Sequence, residues 1–384
     1  MGLTIGYGTL SSSPQSLSPI PSPQLSRSAV PIDSESDTTR PDYGFIDETG
    51  VVIAGPFYEA ESFSDGLAMV REKIDSPVSY INRQGEVAIQ TKFEYGESFS
   101  DGLAKVHWGR GHDGFIDKTG KLLLKNSPFR AGPFGHGIAI AVTTSGLGWV
   151  NKQGQFVLEP KFTFHGSELE VYRAPSFHDG LELMNLGGSL ADKESDWRGG
   201  IIGGEWIYLN RQGDVVVKGE FTSAQPFSEG LAPVHDGNHW GYIDRNGDYQ
   251  IKPQFDYATP FSDGLAVVGL DQESGNQRRY GYINPQGEFV IPPQYTYARE
   301  FTEGVAAVEE GDWGYINKSG EYAIPARFSN AESFVDGIAR VSTDQANRSR
   351  IGYINLQGQY VVEPQYDIFS EDFSEGRALV KFEE

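Results

Sequence analysis

Apolar and polar side chains alternate along most of this chain with a period of two residues. In one stretch Trp240 and Tyr242 share a face before a turn, and Tyr249 and Ile251 share a face after it, with polar residues between them. Such alternation is typical of β-strands that bury one face, and it does not fit the 3.6-residue period of a helix. The pattern therefore predicts short antiparallel strands joined by tight turns.

A turn motif, Asp or Asn followed three residues later by Gly, joins two of these strands and recurs nine times. A side-chain acceptor at the first position and Gly at the fourth are typical of a type I turn. We expect the glycine of this turn to have a positive φ, which costs other residues energy. The nine glycines are Gly50, Gly85, Gly120, Gly154, Gly213, Gly247, Gly287, Gly320 and Gly358.

Two aromatic positions follow each turn, and the second leads into a Ser/Thr–acid–Gly turn and a Leu/Ile-Ala-x-Val strand. A proline cannot donate to a strand ladder, so prolines are expected to end the second strand of the unit. These prolines are Pro160, Pro253, Pro293, Pro325 and Pro364. Each unit of about 35 residues then holds three short strands and a crossover loop, and it must stack on its neighbours to bury a core.

These positions resemble the WG-repeat family, named for a Trp-Gly pair before the turn. The pair stands here as Trp240-Gly241 and Trp313-Gly314, with Tyr43-Gly44 and Tyr280-Gly281 as close variants, while the other five repeats depart from it. The resemblance implies a bacterial β-repeat array, found alone or attached to other domains, with no general enzymatic activity. It implies no ligand.

The expected fold is all-β, an array of nine three-stranded repeats. Because copy number in the family varies, we favour an open, curved β-solenoid. A closed β-propeller is the alternative, although propeller blades usually have four strands. The expected units are a Ser/Pro-rich N-terminal tether over 1–42 and repeats over 43–78, 79–112, 113–147, 148–205, 206–239, 240–279, 280–312, 313–349 and 350–382.

The amino-acid composition limits the classes of partner and of chemistry that we expect. A formal net charge of −22 disfavours nucleic acid as a partner, and the absence of cysteine excludes disulfides and thiol chemistry. No apolar run approaches the roughly 18 residues of a membrane-spanning helix. No secretory signal is visible, which favours the cytoplasm, whereas export stays open if the true N-terminus lies upstream.

Two sets of residues look like sites and have simpler explanations. An acid precedes the second glycine in eight repeats, with His136 as the exception, and a turn-forming role explains it better than a row of cation sites. His235 and His239 have zinc-ligand spacing, but the residues between them form a turn and not a helix. We therefore predict no metal and no cofactor. The eight acids are Asp65, Asp101, Asp179, Glu229, Asp263, Glu303, Asp336 and Glu375.

The pattern breaks in repeat four, where two insertions fall within 163–205. Insertions in repeat arrays map to loops, often on the binding face. The candidate ligand-binding residues are Tyr172, Arg173, Trp197 and Arg198, because these residue types anchor interfaces. The alternative is a loop whose aromatic side chains only cover a local core.

Three functions remain open. The first is a non-catalytic scaffold that binds a protein or peptide, of basic character because the chain is acidic. The second is a carbohydrate or cell-envelope binding module. The third is an enzyme with its site in the insertion, for which no spacing argues. Its only conceivable groups are Glu168, Glu170, Asp179, Asp192, Glu194, His165 and His178. The oligomeric state is not predicted.

Overall fold

The computed structural model describes most of the chain after the N-terminal segment. The described residues are 43–109, 112–125, 129–162, 174–186, 189–190, 201–202, 204–272, 277–345, 348–367 and 369–382. The predicted tether over 1–42 lies outside them.

All but two of the described strands form nine antiparallel sheets, the blades, numbered from the one that contains Tyr43. Eight blades have four strands and blade 5 has three. Neighbouring strands in each blade are called A, B, C and D. Strands A are β3 Glu59–Ala60, β7 Tyr95–Gly96, β11 Arg130–Ala131, β20 Ser223–Ala224, β24 Tyr257–Ala258, β28 Tyr297–Ala298, β32 Asn330–Ala331 and β36 Phe373–Ser374. Strands B are β4 Leu67–Arg71, β8 Leu103–His107, β12 Ile138–Thr143, β15 Glu182–Leu186, β21 Ala232–His235, β25 Ala266–Asp271, β29 Val305–Glu310, β33 Ile338–Gln345 and β37 Arg377–Lys381.

The other two positions complete the blades. Strands C are β1 Tyr43–Asp47, β5 Ser79–Asn82, β9 Asp113–Asp117, β13 Gly146–Asn151, β18 Glu205–Leu209, β22 Trp240–Ile243, β26 Arg278–Ile283, β30 Asp312–Asn317 and β34 Arg348–Asn355. Strands D are β2 Val52–Phe57, β6 Val87–Gln90, β10 Leu122–Leu123, β14 Phe156–Phe162, β19 Val215–Lys218, β23 Tyr249–Phe255, β27 Phe289–Tyr295, β31 Tyr322–Phe328 and β35 Tyr360–Tyr366. A separate pair, β16 Ser189–Leu190 and β17 Ile201–Ile202, lies between β15 and β18.

The array is closed, so the expected open solenoid is wrong and the fold is a nine-bladed β-propeller. Blade 1 combines β1 and β2 from the start of the array with β36 and β37 from its end. Tyr43 pairs with Lys381, and Asp47 pairs with Arg377. Each sequence repeat begins on strand C, so the first repeat supplies only strands C and D of blade 1, and the last repeat supplies strands A and B of that blade. Closure removes the two exposed sheet edges that an open array would keep.

The expected three-stranded unit is also wrong, because the crossover loop contains strand A. In blade 7 this strand has two residues, and Tyr257 and Ala258 pair with Gly269 and Val268 of strand B. A two-residue strand is too short to show an alternating pattern in the sequence.

The predicted turn between strands C and D is confirmed. In blade 6 the Gly247 amide donates to the Asp244 carbonyl at 3.0 Å, and the Asn246 amide donates to Asp244 Oδ1 at 2.8 Å. Gly247 has a φ of 86°. The side-chain acceptor and the glycine therefore have the roles that the motif predicts.

The prolines do not end strand D, which continues two residues beyond four of them and three residues beyond Pro325. In blade 6 Tyr242 pairs with Ile251 and Trp240 with Phe255, so strand D bulges around Pro253. Proline is tolerated there because a bulge on an edge strand needs no donor. The bulge also explains the Gly of Trp-Gly. A Cβ on Gly241 would lie 2.6 Å from the Ile251 oxygen and 2.7 Å from the Pro253 nitrogen.

The hydrophobic core lies between blades. At each of the nine seams, an aromatic side chain of strand C packs against the second aromatic of the next blade, with centroids between 4.7 and 5.7 Å apart. Edge-on or tilted aromatic pairs of this kind contribute about 0.5–1.5 kcal/mol beyond burial. The pairs are Phe45–Phe63, Tyr80–Phe99, Phe115–Phe134, Trp149–Phe177, Tyr208–Phe227, Tyr242–Phe261, Tyr282–Phe301, Tyr315–Phe334 and Tyr353–Phe373.

Every blade has the same two ends. In blade 7, Ala266 and Ile283 pair beside the A–B and C–D turns, and Asp271 and Arg278 pair beside the B–C connection. We call the end with the A–B and C–D turns the turn face. We call the other end, with the B–C and D–A connections, the loop face.

Candidate functional site

The recurring acids lie in the A–B turns of the turn face, and their carboxylates join neighbouring blades. Each of the eight acids has a φ near 50°, and in the described residues seven of their carboxylates accept a hydrogen bond from the turn glycine of the next blade. The described bonds of this kind join Asp65 to Gly102, Asp101 to Gly137, Asp179 to Gly230, Glu229 to Gly264, Asp263 to Gly304, Glu303 to Gly337 and Glu375 to Gly66. The acids therefore hold the ring together, which explains why the same residue type recurs.

Basic side chains from the C–D turns form ion pairs with two of these acids in the described residues. Arg83 Nη2 lies 2.9 Å from Glu375 Oε2, and Lys152 Nζ lies 2.9 Å from Asp101 Oδ1. Burial raises the pKa of the Glu375 carboxyl, but the Arg83 guanidinium and the Gly66 amide outweigh burial and hold that pKa below its usual value. Charged contacts on the turn face thus help to join blade 1 to blade 2, where the ring closes.

The seam between blades 4 and 5 departs from this scheme. His136 replaces the acid, and Arg211 Nη2 lies 3.3 Å from its Nδ1. At six other seams a buried tyrosine hydroxyl of strand C donates to a carbonyl of the next blade, as Tyr242 does to Thr259 at 2.9 Å. Trp149 replaces the tyrosine here, and its buried indole N–H makes no hydrogen bond in the described part of the chain.

Blade 5 also buries a carboxylate that the sequence analysis missed. Glu182 is fully buried on strand B, where every other blade has alanine, and its carboxylate accepts the Ser176 amide at 2.6 Å. A buried carboxylate is costly unless its oxygens accept hydrogen bonds. The signal was present in the sequence, because Leu181-Glu182 breaks the Leu/Ile-Ala motif of strand B.

Both insertions of repeat four leave the sheet on the loop face. The first follows Phe162, which pairs with Leu147 at that end of strand C. The second follows Leu186, which pairs with Glu205 at the same end. The four residues predicted to bind a ligand, Tyr172, Arg173, Trp197 and Arg198, lie outside the described residues.

The histidines and acids weighed as metal ligands or catalytic groups do not form a cluster. Among the described residues, no group of three or more His, Asp or Glu side chains is placed to hold a metal ion. His235 Nδ1 lies 2.8 Å from the Thr222 hydroxyl, and burial lowers the pKa of its imidazole although Asp236 opposes the shift. His178 Nε2 lies 2.7 Å from the Ser176 hydroxyl.

A row of aromatic side chains crosses blades 7 and 8 on the loop face. We call Tyr257, Tyr280, Tyr297 and Trp313 the aromatic row. Tyr257 and Tyr280 meet edge to face at 5.4 Å, and the next two contacts have centroids 6.0 and 6.4 Å apart with ring planes 17° and 19° from parallel. Tyr297 is 51% exposed. The sequence analysis did not single out this row, because the exposure of its side chains depends on their place at the end of the strand.

The neighbours of the aromatic row explain its geometry. Gly269 lies between Tyr257 and Tyr280 in the strand register, and a Cβ there would lie 2.6 Å from Arg278 Cδ. The missing side chain therefore allows the two rings to meet. At the other end the Arg299 guanidinium lies 5.2 Å from the centre of the Trp313 ring.

Acidic groups border the same row. Glu309 lies between Tyr297 and Trp313 in the register of blade 8, and burial followed by repulsion from Glu310 raises the pKa of its carboxyl. Glu310 forms an ion pair with Arg279 at 2.7 Å. In the described part of the chain the carboxylates of Glu309 and Asp312 form no ion pair.

The closed ring of similar blades defines the chain as a β-propeller built from internal repeats. The chain belongs to the WG-repeat family, whose description is "WG containing repeat". The family model matches residues 43–73, 79–106, 148–166, 206–238, 240–272, 280–312, 313–345 and 351–384. The third repeat, which departs from Trp-Gly, is not matched but still forms strands C and D of blade 3 and strands A and B of blade 4.

Solved structures resemble this chain in fold alone. One is a crystal structure of the eukaryotic initiation factor, with a TM-score of 0.54, 9% identity, and coverage of 89% of this chain and 98% of that chain. Another is BamB from Moraxella catarrhalis, with a TM-score of 0.41, 12% identity, and coverage of 90% and 99%. A search of curated proteins finds no match. No helix in the described residues is long and apolar enough to cross a membrane.

Proposed function

We propose that this chain is a non-catalytic binding protein whose loop face binds a protein or peptide of basic character. The observation that carries the proposal is that both insertions of repeat four leave their sheets on the loop face, beside the seam with altered contacts. Loops on a rigid scaffold commonly carry binding residues. The specificity would come from 163–205.

Charge supports the choice of partner. The formal net charge is −22, and the turn-face acids are bound to the next blade and, in part, to basic side chains. Acids of the loop face, such as Glu309 and Asp312, are left to attract a basic partner. Association driven by charge should weaken as salt increases.

The absence of catalysis is part of the proposal. Of the groups weighed for an enzyme, only His178 and Asp179 are described, and each has a structural contact. The Asp179 carboxylate accepts the Gly230 amide at 2.7 Å, and Arg245 donates to its carbonyl.

The test is affinity capture from the source cell with two versions of the chain. Leu190 pairs with Ile201, so residues 191–200 can be replaced by an Asn-Gly turn without breaking that pair. The matched control replaces 273–276 of blade 7 by the same turn, between Gln272 and Gln277, whose backbones are hydrogen-bonded at 3.0 Å.

We expect a partner that the 273–276 control still captures, that the 191–200 replacement loses, and that is captured less at higher salt. A partner captured equally by the 191–200 replacement and by the 273–276 control would contradict the role of the second insertion. The binding site would then lie on the regular repeats. A partner whose capture increases with salt would contradict the electrostatic part.

A carbohydrate ligand is the second candidate, and the aromatic row favours it. Sugars stack on exposed aromatic rings, and Tyr297, which lies between two near-parallel neighbours, is 51% exposed. A glycan array probed with the full chain and with Tyr297→Ala tests this candidate. Equal binding by both would contradict it.

A further inference from the structure

We propose that the aromatic row binds a segment of this same chain, the proline-rich stretch over 11–27. The proposal does not depend on the partner proposed for the insertions, because it concerns blades 7 and 8. It is carried by the geometry of the row, the charge beside it, and the place where the N-terminal segment enters the ring.

The row has the chemistry and the length of a site for a proline-rich peptide. Such peptides dock in an extended polyproline conformation on grooves lined by aromatic side chains. The centroids of neighbouring rings in Tyr280, Tyr297 and Trp313 lie 6.0 and 6.4 Å apart, so the three centroids span at most about 12 Å. Polyproline advances about 3.1 Å per residue, so about five residues match that length.

The sequence before Tyr43 supplies such a peptide. Pro19, Pro21 and Pro23 stand within five residues, and no other part of the chain has three prolines in so short a stretch. Proline loses little conformational freedom on binding because its φ is already fixed.

Charge complements this match. Arg27 follows the prolines, and it is one of two basic side chains before Tyr43. Glu309 lies in register between Tyr297 and Trp313, and Asp312 is exposed at the start of the same strand C. An arginine at the end of the bound segment would therefore meet carboxylates that make no ion pair among the described residues.

The segment can reach the row. Tyr43 begins strand C of blade 1 at the loop face, because it pairs with Lys381 and Phe57 at that end of the sheet. The chain before it thus enters on the face that carries the row, and blade 8 is two blades away. Residues 28–42 span at most about 50 Å when extended, and a chain of this size forms a domain about 50 Å across.

Attachment makes weak binding sufficient. A short flexible linker gives a tethered peptide an effective concentration on the order of 1 mM. A peptide with a Kd of about 0.1 mM would then occupy the row most of the time. The same peptide added in solution at micromolar concentration would hardly bind.

The experiment uses the full chain with photoreactive benzoylphenylalanine in place of Ile20. After irradiation, the cross-linked peptides are identified by mass spectrometry. We expect cross-links mainly to 295–317, independent of protein concentration. The variant Tyr297→Ala should reduce their yield at least fivefold, and Pro19→Ser with Pro21→Ser and Pro23→Ser should do the same.

The matched control is Tyr95→Ala in blade 3. Tyr95 has the same position on strand A as Tyr297 and is 60% exposed, so it should leave the yield unchanged. Thermal melting checks that both variants fold. Cross-links to other blades, a yield that survives Tyr297→Ala, or covalent dimers that increase with concentration would each overturn the proposal.

Discussion

Glu375 carries a prediction about ring closure, because it belongs to the C-terminal half of blade 1 and binds blade 2. Its carboxylate accepts the Gly66 amide at 2.8 Å and lies 2.9 Å from Arg83 Nη2. No covalent connection joins this half of blade 1 to blade 2 except through the whole ring. Replacing Glu375 with Ala should therefore loosen the closing contact.

The magnitude follows from the two bonds. A hydrogen bond to a charged group contributes about 1.5–3 kcal/mol, and a partly exposed ion pair contributes at most about 1 kcal/mol. Because the carboxylate is only partly buried, we expect Glu375→Ala to cost about 2 kcal/mol. Glutamate and alanine both have a Cβ, so the substitution leaves the strain of the positive φ at position 375 unchanged. A loss of this size corresponds to roughly thirtyfold faster local opening.

Hydrogen–deuterium exchange of β1 and β37 measures this opening. The matched control is Glu303→Ala, which removes the same bond to Gly337 at a seam that the chain crosses covalently. We expect exchange in the β1–β37 ladder to accelerate in Glu375→Ala and not in Glu303→Ala. Equal acceleration in the two variants would refute the assignment of Glu375 to closure.

The same contact predicts a dependence on pH. The pKa of Glu375 lies below its usual value of 4.5 in the folded chain, since the contacts with Arg83 and Gly66 outweigh burial. A lowered carboxyl pKa stabilises the fold above the unfolded value, and this contribution is lost as the pH falls through the folded value. Exchange in the β1–β37 ladder should therefore accelerate below about pH 4.5, and Glu375→Gln should weaken that dependence.

Three further substitutions test the repeat. Tyr242→Phe should cost about 1–2 kcal/mol in urea unfolding, because the buried Thr259 carbonyl loses its donor. Gly247→Val should lower the melting temperature, because φ is 86° and a Cβ would lie 3.3 Å from Val217 Cγ1; an unchanged value would contradict the turn assignment. Gly241→Ala should lower the melting temperature by more than Gly264→Ala, since only the first Cβ meets backbone atoms; the reverse order would contradict the role of the strand D bulge.

The sequence predicts the repeat better than it predicts closure. Alternation and the Asp/Asn-x-x-Gly motif identify strands B, C and D because each is long enough to show a period or a turn. Strand A is not found, since two residues carry no period. Closure depends on pairing between residues some 300 positions apart, such as Ser62 and Glu371, which no local pattern encodes.

The candidate site shows the same limit. The insertions are evident from spacing, and Glu182 could have been noticed where it replaces alanine. The aromatic row could not, because its side chains have the residue types of core positions. Whether Tyr297 is buried depends on which neighbour covers the end of strand A, and that is decided by packing between blades 7 and 8.

The turn face and the loop face of the ring are under different structural constraints, and this difference favours the loop face as the functional surface. On the turn face nearly every repeat needs the same acid and glycine, because seven of the nine seams are bonded through them. A substitution there changes a contact between blades, so that face has little freedom to acquire a ligand. The loop face carries connections of different length, the two insertions and the aromatic row, and its variation leaves the seams intact. A nine-bladed ring whose seams are bonded on the turn face can therefore acquire binding specificity on the loop face.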